Sequence, residues 1–344
     1  MTRSFSLRDL ALLWALRDQG ITLDMQRAAL CEARPLQEAL CGLMPARGAA
    51  TLTYVCHGHA ANGRGFVQVQ AYPERQEWQV VHLAPRAEAG GLSSGPWWAC
   101  ALSELCVLAG RRGALRVRAG VAAGSLEEEV FRQAGFSAYT REEVYQLPQP
   151  GALAARAAAM RDVTAGDAWR LLQLVGQVVP PPVQHAEGLI VSGADVPILT
   201  RLGVSRERGY VLERGEELGA YLGLSRSRRG VWARILLHPD DGSRAPEVLG
   251  HAIAAAAGEA TLYCAVRDYQ AGLRNLMQDM GFEFVGVQVW LVRHTARPAV
   301  SPNYRQLAAR EKRPGALTTP LHPVNTVALV PCLPVTREHW TYEY

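Results

Sequence analysis

Apolar residues along this chain recur in two periods, and the period switches often. After a short extended start at 2–6, Leu10, Leu13, Trp14 and Leu16 fall on one broad stripe, which predicts an amphipathic helix. Residues 23–43 again read as helix, interrupted at Pro35. Alternation predicts strands at 51–57, 66–72 and 78–83, with Asn62-Gly63 marking the first hairpin turn. A helix at 97–109, a strand at 114–119, a helix at 126–134 and a closing strand pair to Leu147 follow. The order then starts again. A short strand at 160–163 leads to a helix capped by Thr164, with Ala168, Leu171, Leu172 and Val175 inward. The prolines at 180–182 end it, and an irregular stretch runs to about 208. Strands at 209–214, 217–225 and 231–237 come next, with Gly215 in the first turn. A helix at 246–257 opened by Pro246, a strand at 261–266, a helix at 271–280 and strands across 282–292 complete the second copy.

The repetition reaches single residues. Leu115 to Gly135 spans 20 positions and Leu262 to Gly281 spans 19, and a Gly-Phe pair ends the helix in each copy. Trp78 to Pro85 and Trp232 to Pro239 are both 7 apart. A repeat of this length means two copies of one domain rather than a solenoid of small units. The boundaries expected are 1–147 for the first domain, 148–159 for a linker rich in alanine and proline, 160–294 for the second domain and 295–344 for a tail. The tail is rich in proline, has no partner in the first half and cannot make a core alone. Its apolar anchors, Trp340, Tyr342 and Tyr344 among them, suit docking on the protein's own surface or on a second copy, which would make a homodimer.

Composition narrows the class. Hydrophobic residues make up 49% of the 344 and charged residues 20%, as in ordinary soluble domains, and no run is long and apolar enough to span a membrane. The first twenty residues carry Arg8, Asp9 and Arg17 at helical spacing, unlike a signal peptide, so a cytoplasmic location is expected. Seven scattered cysteines without a CxxC pair read as small core residues in a reducing compartment. The net charge of +4 is mild, and its basic residues are nearly all arginine, which fits a GC-rich bacterial genome. The SRSRRG run at 225–230 falls at a hairpin turn with no interleaved aromatics, so a nucleic-acid partner is not expected. Cys56, His57 and His59 resemble half a metal site without a second cluster, so no metal is expected.

In each half the order is strand, helices, three antiparallel strands, helix, strand, helix and two strands. That order, with LEEEVFRQAGF and LRNLMQDMGF before the late strands, RDVTAGDAWRLLQLV at the second opening and RILLHPD at the fourth strand, resembles the GNAT (GCN5-related N-acetyltransferase) fold. The resemblance covers about 2–147 and 160–294. It implies an α/β (α+β) protein of two tandem GNAT-like domains, each a mixed, mostly antiparallel sheet flanked by helices, with a proline-rich extension. It also implies transfer of an acetyl or other acyl group from acyl-CoA to a small-molecule or peptide amine. In that fold the fourth and fifth strands splay, and the pantetheine amides pair with the freed edge of the fourth. The pyrophosphate sits on N–H groups at the start of the next helix, in a glycine-rich loop.

Neither copy keeps that loop intact. The pantetheine and pyrophosphate positions fall on Leu83, Arg86, Gly90 and Gly91 in the first half. In the second they fall on Leu237, His238, Gly242, Ser243 and Arg244, where Asp240 and Asp241 add repulsion and Pro246 removes an N–H donor. The family's proton-donating tyrosine is replaced by Phe131 and Met277. His82, on the fourth strand, has the chemistry of a general base, and its simpler reading is a strand histidine hydrogen-bonded locally. Tyr269, Tyr263 and Glu213 are further titratable candidates, and Tyr269 is the one taken beside His82 as catalytic. The degenerate motifs leave two expectations open: an acyltransferase in which one half binds the thioester, or a non-catalytic protein of the same shape used for binding or assembly.

Overall fold

The computed structural model describes residues 1–44, 50–58, 63–87, 94–152, 159–189 and 208–295. The first half runs β1 (Thr2–Ser4), α1 (Leu10–Leu16), β2 (Ile21–Thr22), α2 (Met25–Leu30), α3 (Pro35–Cys41), β3 (Ala50–His57), β4 (Arg64–Tyr72), β5 (Glu77–Ala84), α4 (Ser94–Arg111), β6 (Arg116–Ala122), α5 (Leu126–Gln133) and β7 (Ser137–Pro148). The second runs β8 (Arg161–Asp162), α6 (Ala168–Val178), α7 (Pro181–Glu187), β9 (Arg208–Arg214), β10 (Glu217–Ser227), β11 (Gly230–Leu237), α8 (Ala245–Ala255), β12 (Thr261–Arg267), α9 (Leu273–Asp279) and β13 (Glu283–His294).

Each half opens on the same clamp. Ser6 donates to Asp9 from its backbone and its hydroxyl, both at 2.9 Å, and Arg3 grips both oxygens of that carboxylate. Thr164, Asp167 and Arg161 repeat the arrangement, with both arginine bonds at 2.7 Å. The carboxylate thereby satisfies N–H groups left open where α1 and α6 begin. The Arg3 hydrogen bond, ahead of every other cause, holds the Asp9 carboxyl down at about 2, and Arg161 holds Asp167 lower still.

The strands form one sheet through both halves, in the order β1-β3-β4-β5-β6-β13-β7-β12-β11-β10-β9-β8, with β2 attached to β5. All pairs are antiparallel except β5 with β6 and β11 with β12. Period-two alternation decides the faces. On β6, Val117, Ala119 and Val121 enter the core beneath α4 and α5, which leaves Arg116 and Arg118 for the opposite face.

Here the structure departs from the expected closing strand pair. Each half ends in a single twelve-residue strand, and the two are exchanged. β13 lies beside β6 of the first half, β7 lies beside β12 of the second, and the two pair with each other. Val289 and Leu291 of β13 are fully buried in the first-half core, while Tyr145 and Leu147 of β7 belong to the second-half core. β7 and β13 are 146 positions apart at both ends (137 to 283, 148 to 294), and Glu142 is paired in register with Gln288, its own equivalent. The pseudo-twofold axis therefore passes between these two side chains. The same offset relates Val117 to Tyr263, which face Trp78 and Trp232. Leu115 thus matches Thr261, one residue earlier than the sequence comparison places it.

Other differences are local. The span read as helix from residue 23 begins just after β2, which holds Ile21 and Thr22, and it contains two short helices. Pro35 starts α3 rather than breaking a longer helix, and Pro181 starts α7, because proline fits the first helical turn where no N–H partner is needed. Residues 153–158 of the expected linker and all of the tail from 296 onward lie outside the described residues. Residues 1–297 form one compact unit. Among the described residues no helix is long and apolar enough to cross a membrane.

Candidate functional site

The two halves treat the parting of their fourth and fifth strands differently. β5 and β6 pair from Glu77–Arg116 to Val80–Ala119 and then separate. Beyond that point β2 takes the place of β6: Ile21 pairs with Leu83 and Thr22 with His82, while β4 holds the other edge of β5. Leu23 N–H donates to the Val81 carbonyl at 3.1 Å, and Arg86 N–H to that of Gln19 at 2.8 Å. Val81 is a bulge residue without a partner on β4. The first-half cleft is therefore lined by the chain's own backbone.

Close approach at Gly20 makes this docking fit. A Cβ there would lie 2.2 Å from His82 Nε2 and 2.9 Å from the Leu83 carbonyl. Gly20→Ala is expected to cost about 1–3 kcal/mol of stability through overpacking. Gly242→Ala, which meets nothing within 4 Å, is expected to stay within about 0.5 kcal/mol. Equal urea midpoints for the two variants would contradict the docking of β2.

In the second half β11 and β12 pair from Val231–Leu262 to Arg234–Ala265 and then part. The Ile235 carbonyl accepts from Gln270 Nε2 at 2.7 Å. Beyond it, among the described residues, no strand pairs with Leu236 or Leu237 on that side. The reason is chain length. Residues 17–24 separate α1 from α2 and supply β2, whereas only Val179 and Pro180 separate α6 from α7, and Pro180 has no N–H.

This second cleft adjoins a cavity of about 310 Å³ on the sheet face that carries α2, α6 and α7. Both halves line it. Its charges form a chain: Arg116 donates to Glu77 at 3.0 Å, Glu77 lies 3.4 Å from Arg118, and Arg118 lies 3.6 Å from Glu187. Arg267 then binds Glu187 at 2.7 Å. Tyr139 donates to the same Glu187 oxygen at 3.2 Å. Burial works against the Glu187 carboxylate, yet Arg267 and then Arg118 outweigh it and bring its pKa down to about 2. Arg118 also lies 5.1 Å over the Trp290 ring. Trp290 and Gln288 donate to Glu142 at 2.5 and 2.8 Å, and Gln288 accepts from the Met25 N–H at 3.0 Å, which ties α2 to the pseudo-twofold axis. Asp24 accepts from Gln26 N–H and Gln79 Nε2, both at 3.0 Å, and burial, then Glu142, raises its carboxyl above the usual range.

Of the residues singled out from sequence, Tyr269 lies on the cavity wall. It packs with Leu236, Val175 and Val179 and accepts from Arg267 at 3.3 Å. Burial raises its pKa, so the hydroxyl is protonated at neutral pH. Leu237 ends β11 at the open edge. His82 is buried, stacks on Phe66 and lies against Gly20, and burial, with Arg27 second, pulls its pKa down to about 4. It stays neutral at pH 7 and is not among the residues lining the cavity. Leu83 is occupied by Ile21 and Arg86 by Gln19, while Gly90 and Gly91 lie outside the described residues.

His238 caps the short helix Pro239–Arg244 by accepting from Asp240 N–H at 3.2 Å. Gly242 and Ser243 are exposed on that helix. Arg244 is 3.8 Å from Glu247, and Arg214 holds Asp240 at 2.8 Å. Among the described residues no group of three or more His, Cys, Asp or Glu side chains could hold a metal. Sequence reading missed Asp24, Arg75, Arg118, Glu187, Arg234 and Arg267. The signal present was charge at inward positions of strands, as in RVRAG at 116–120.

No family model matches the sequence, and neither does any curated protein. Among solved structures, the chain is similar to a tandem GNAT protein of the clavulanic acid biosynthesis pathway solved without acetyl-CoA, at 12% identity and TM-score 0.49, covering 86% of this chain and 98% of that one. It is similar to a GCN5-related N-acetyltransferase from Sphaerobacter thermophilus at 13% identity and TM-score 0.48, covering 86% and 95%. For a protein from Pyrococcus horikoshii described as a putative acetyltransferase, the values are 11%, 0.46, 86% and 90%. The fold rests on the strand order itself, and likeness at these values says nothing of what this chain binds.

Proposed function

We propose that the chain is an acyl-CoA-dependent N-acyltransferase whose transfer site lies in its second half, with the amine acceptor in the cavity shared by both halves. The observation that carries this reading is the asymmetry of the clefts. The β5 edge is filled by β2, whereas the β11 edge at Leu236 and Leu237 is not paired and adjoins the cavity beside Tyr269. In the resembling fold that edge takes the pantetheine, and the thioester arrives where the strands part.

Acyl-CoA supplies an activated carbonyl, and attack by a neutral amine releases a thiolate that needs a proton. The Tyr269 hydroxyl, kept protonated by burial and oriented by Arg267, suits that donation. Holding amine and thioester together supplies much of the rate, so little further side-chain chemistry is required. His82 and the first-half positions take no part in this scheme.

The fit is good at the pantetheine end and poor at the phosphate end. Asp240, Asp241 and Glu247 surround the start of α8, against Arg214 and Arg244. That observation favours a second reading, a non-catalytic GNAT-shaped binding protein. Calorimetric titration of the full chain with acetyl-CoA separates the two. The first reading expects one site per chain, with a dissociation constant in the range of about 10 μM to 1 mM. Two sites per chain, or none up to about 1 mM, would sink it.

A further inference from the structure

We infer that the central cavity is a binding site for a small organic oxyanion, a carboxylate or a phosphate ester, held between Arg75 of the first half and Arg234 of the second. The inference rests on the acyltransferase reading only in calling that ligand the acceptor; the binding itself does not depend on it.

The charge balance of the wall is the first ground. Arg27, Arg75, Arg118, Arg234 and Arg267 line the cavity against Asp24, Glu142 and Glu187. Adding the partners just behind the wall, Arg116, Glu77 and Glu38, makes six guanidiniums to five carboxylates among the described residues. Protonation of Asp24, which burial favours, widens the excess. Net positive charge in a largely enclosed site is costly unless a counter-charge joins it.

The distribution of that charge is the second ground. Glu187 is engaged by Arg267 and Arg118, Glu77 by Arg116 and Arg118, and Glu142 is held by the neutral donors Trp290 and Gln288. Arg75, by contrast, is buried within electrostatic reach of two like charges, Arg118 and Arg234, and burial followed by Glu77 and these two neighbours leaves its pKa below the ordinary value. Three guanidiniums of one sign converging on a cavity of about 310 Å³ suit an oxyanion, because the planar fork matches carboxylate and phosphate oxygens in pairs. A cavity of that volume is at the small end of ligand sites, which fits an amino-acid-sized molecule. The two arginines come from opposite halves, so the tandem arrangement builds a site that one half alone lacks.

The test uses the full chain without acetyl-CoA, titrated with glutarate, inorganic phosphate and neutral glutaramide by thermal shift and calorimetry. The inference expects glutarate or phosphate to bind at or below about 10 mM and glutaramide not to bind. Whichever anion binds identifies the carboxylate or the phosphate class. Arg75→Gln and Arg234→Gln are each expected to weaken that binding about tenfold or more, the scale of one charge-assisted bond. Should either glutamine variant fail to fold, Arg234→Lys and Arg75→Lys keep the charge but lose the fork, and a several-fold loss is expected from each. Anion binding in a protein that ignores acetyl-CoA would support this inference while removing the transfer reading. Equal binding of glutaramide, anion affinity unchanged in the arginine variants, or no shift from either anion would overturn it.

Discussion

Residues 1–152 and 159–344, produced as separate chains, are each expected to fail as folded monomers and to recover a native sheet only when expressed together. The exchange of β7 and β13 makes each half incomplete. Without β13 the first half loses Val289 and Leu291 from its core and exposes the edge of β6 at residues 116–122. Burial of two such side chains is worth about 1.5–3 kcal/mol each, against a typical domain stability of about 5–15 kcal/mol. The second half loses Tyr145 and Leu147 in the same way and exposes β12. Unpaired edges of this kind invite association with other strands. Circular dichroism, denaturant melts and solution mass check the outcome. Two monomeric halves that each unfold cooperatively would contradict the exchange.

Glu187→Gln is expected to lower stability by about 3–5 kcal/mol, because it leaves Arg118 and Arg267 buried beside a neutral amide. The pH dependence carries the diagnosis. The Glu187 pKa is depressed in the folded state, from an ordinary 4.5 to about 2. Its contribution is therefore fully present above about pH 4.5 and is lost as pH falls toward 2. The gap between the native protein and the variant should be constant near neutrality and shrink across that window. A gap that persists unchanged at acid pH would show that Glu187 acts through packing rather than charge.

The order of elements was legible in the sequence because it rests on local signals. Periodicity, the Gly-Phe pairs after α5 and α9, and the Trp-to-Pro spacing on β5 and β11 each mark one element and need no partner. The strand exchange was not legible. The alternation in β7 suits a neighbour in either half, and only packing of the whole sheet chooses between β6 and β12. β2 was missed for a similar reason: two residues, Ile21 and Thr22, are too few to show a period, and their partner lies sixty residues away on β5.

The cavity shows the same division. Tyr269 was noticed as a titratable side chain, yet nothing near it in the chain indicates Glu187 or Arg118, its neighbours across the fold. Arg116, Arg118, Arg234 and Arg267 did leave a trace, since charges at inward positions of otherwise apolar strands call for buried partners. Their opposites, Glu77 and Glu187, come from other elements, so pairing them required the fold.

Hydrogen exchange, followed residue by residue with and without saturating acetyl-CoA, tests the central claim most directly. The account predicts slower exchange at Leu236 and Leu237 and around Asp268–Gln270, with Ile21–Leu23 and Val81–Leu83 unchanged. Protection that appears instead along β5 with release of β2, or that appears in neither cleft, would contradict a transfer site in the second half.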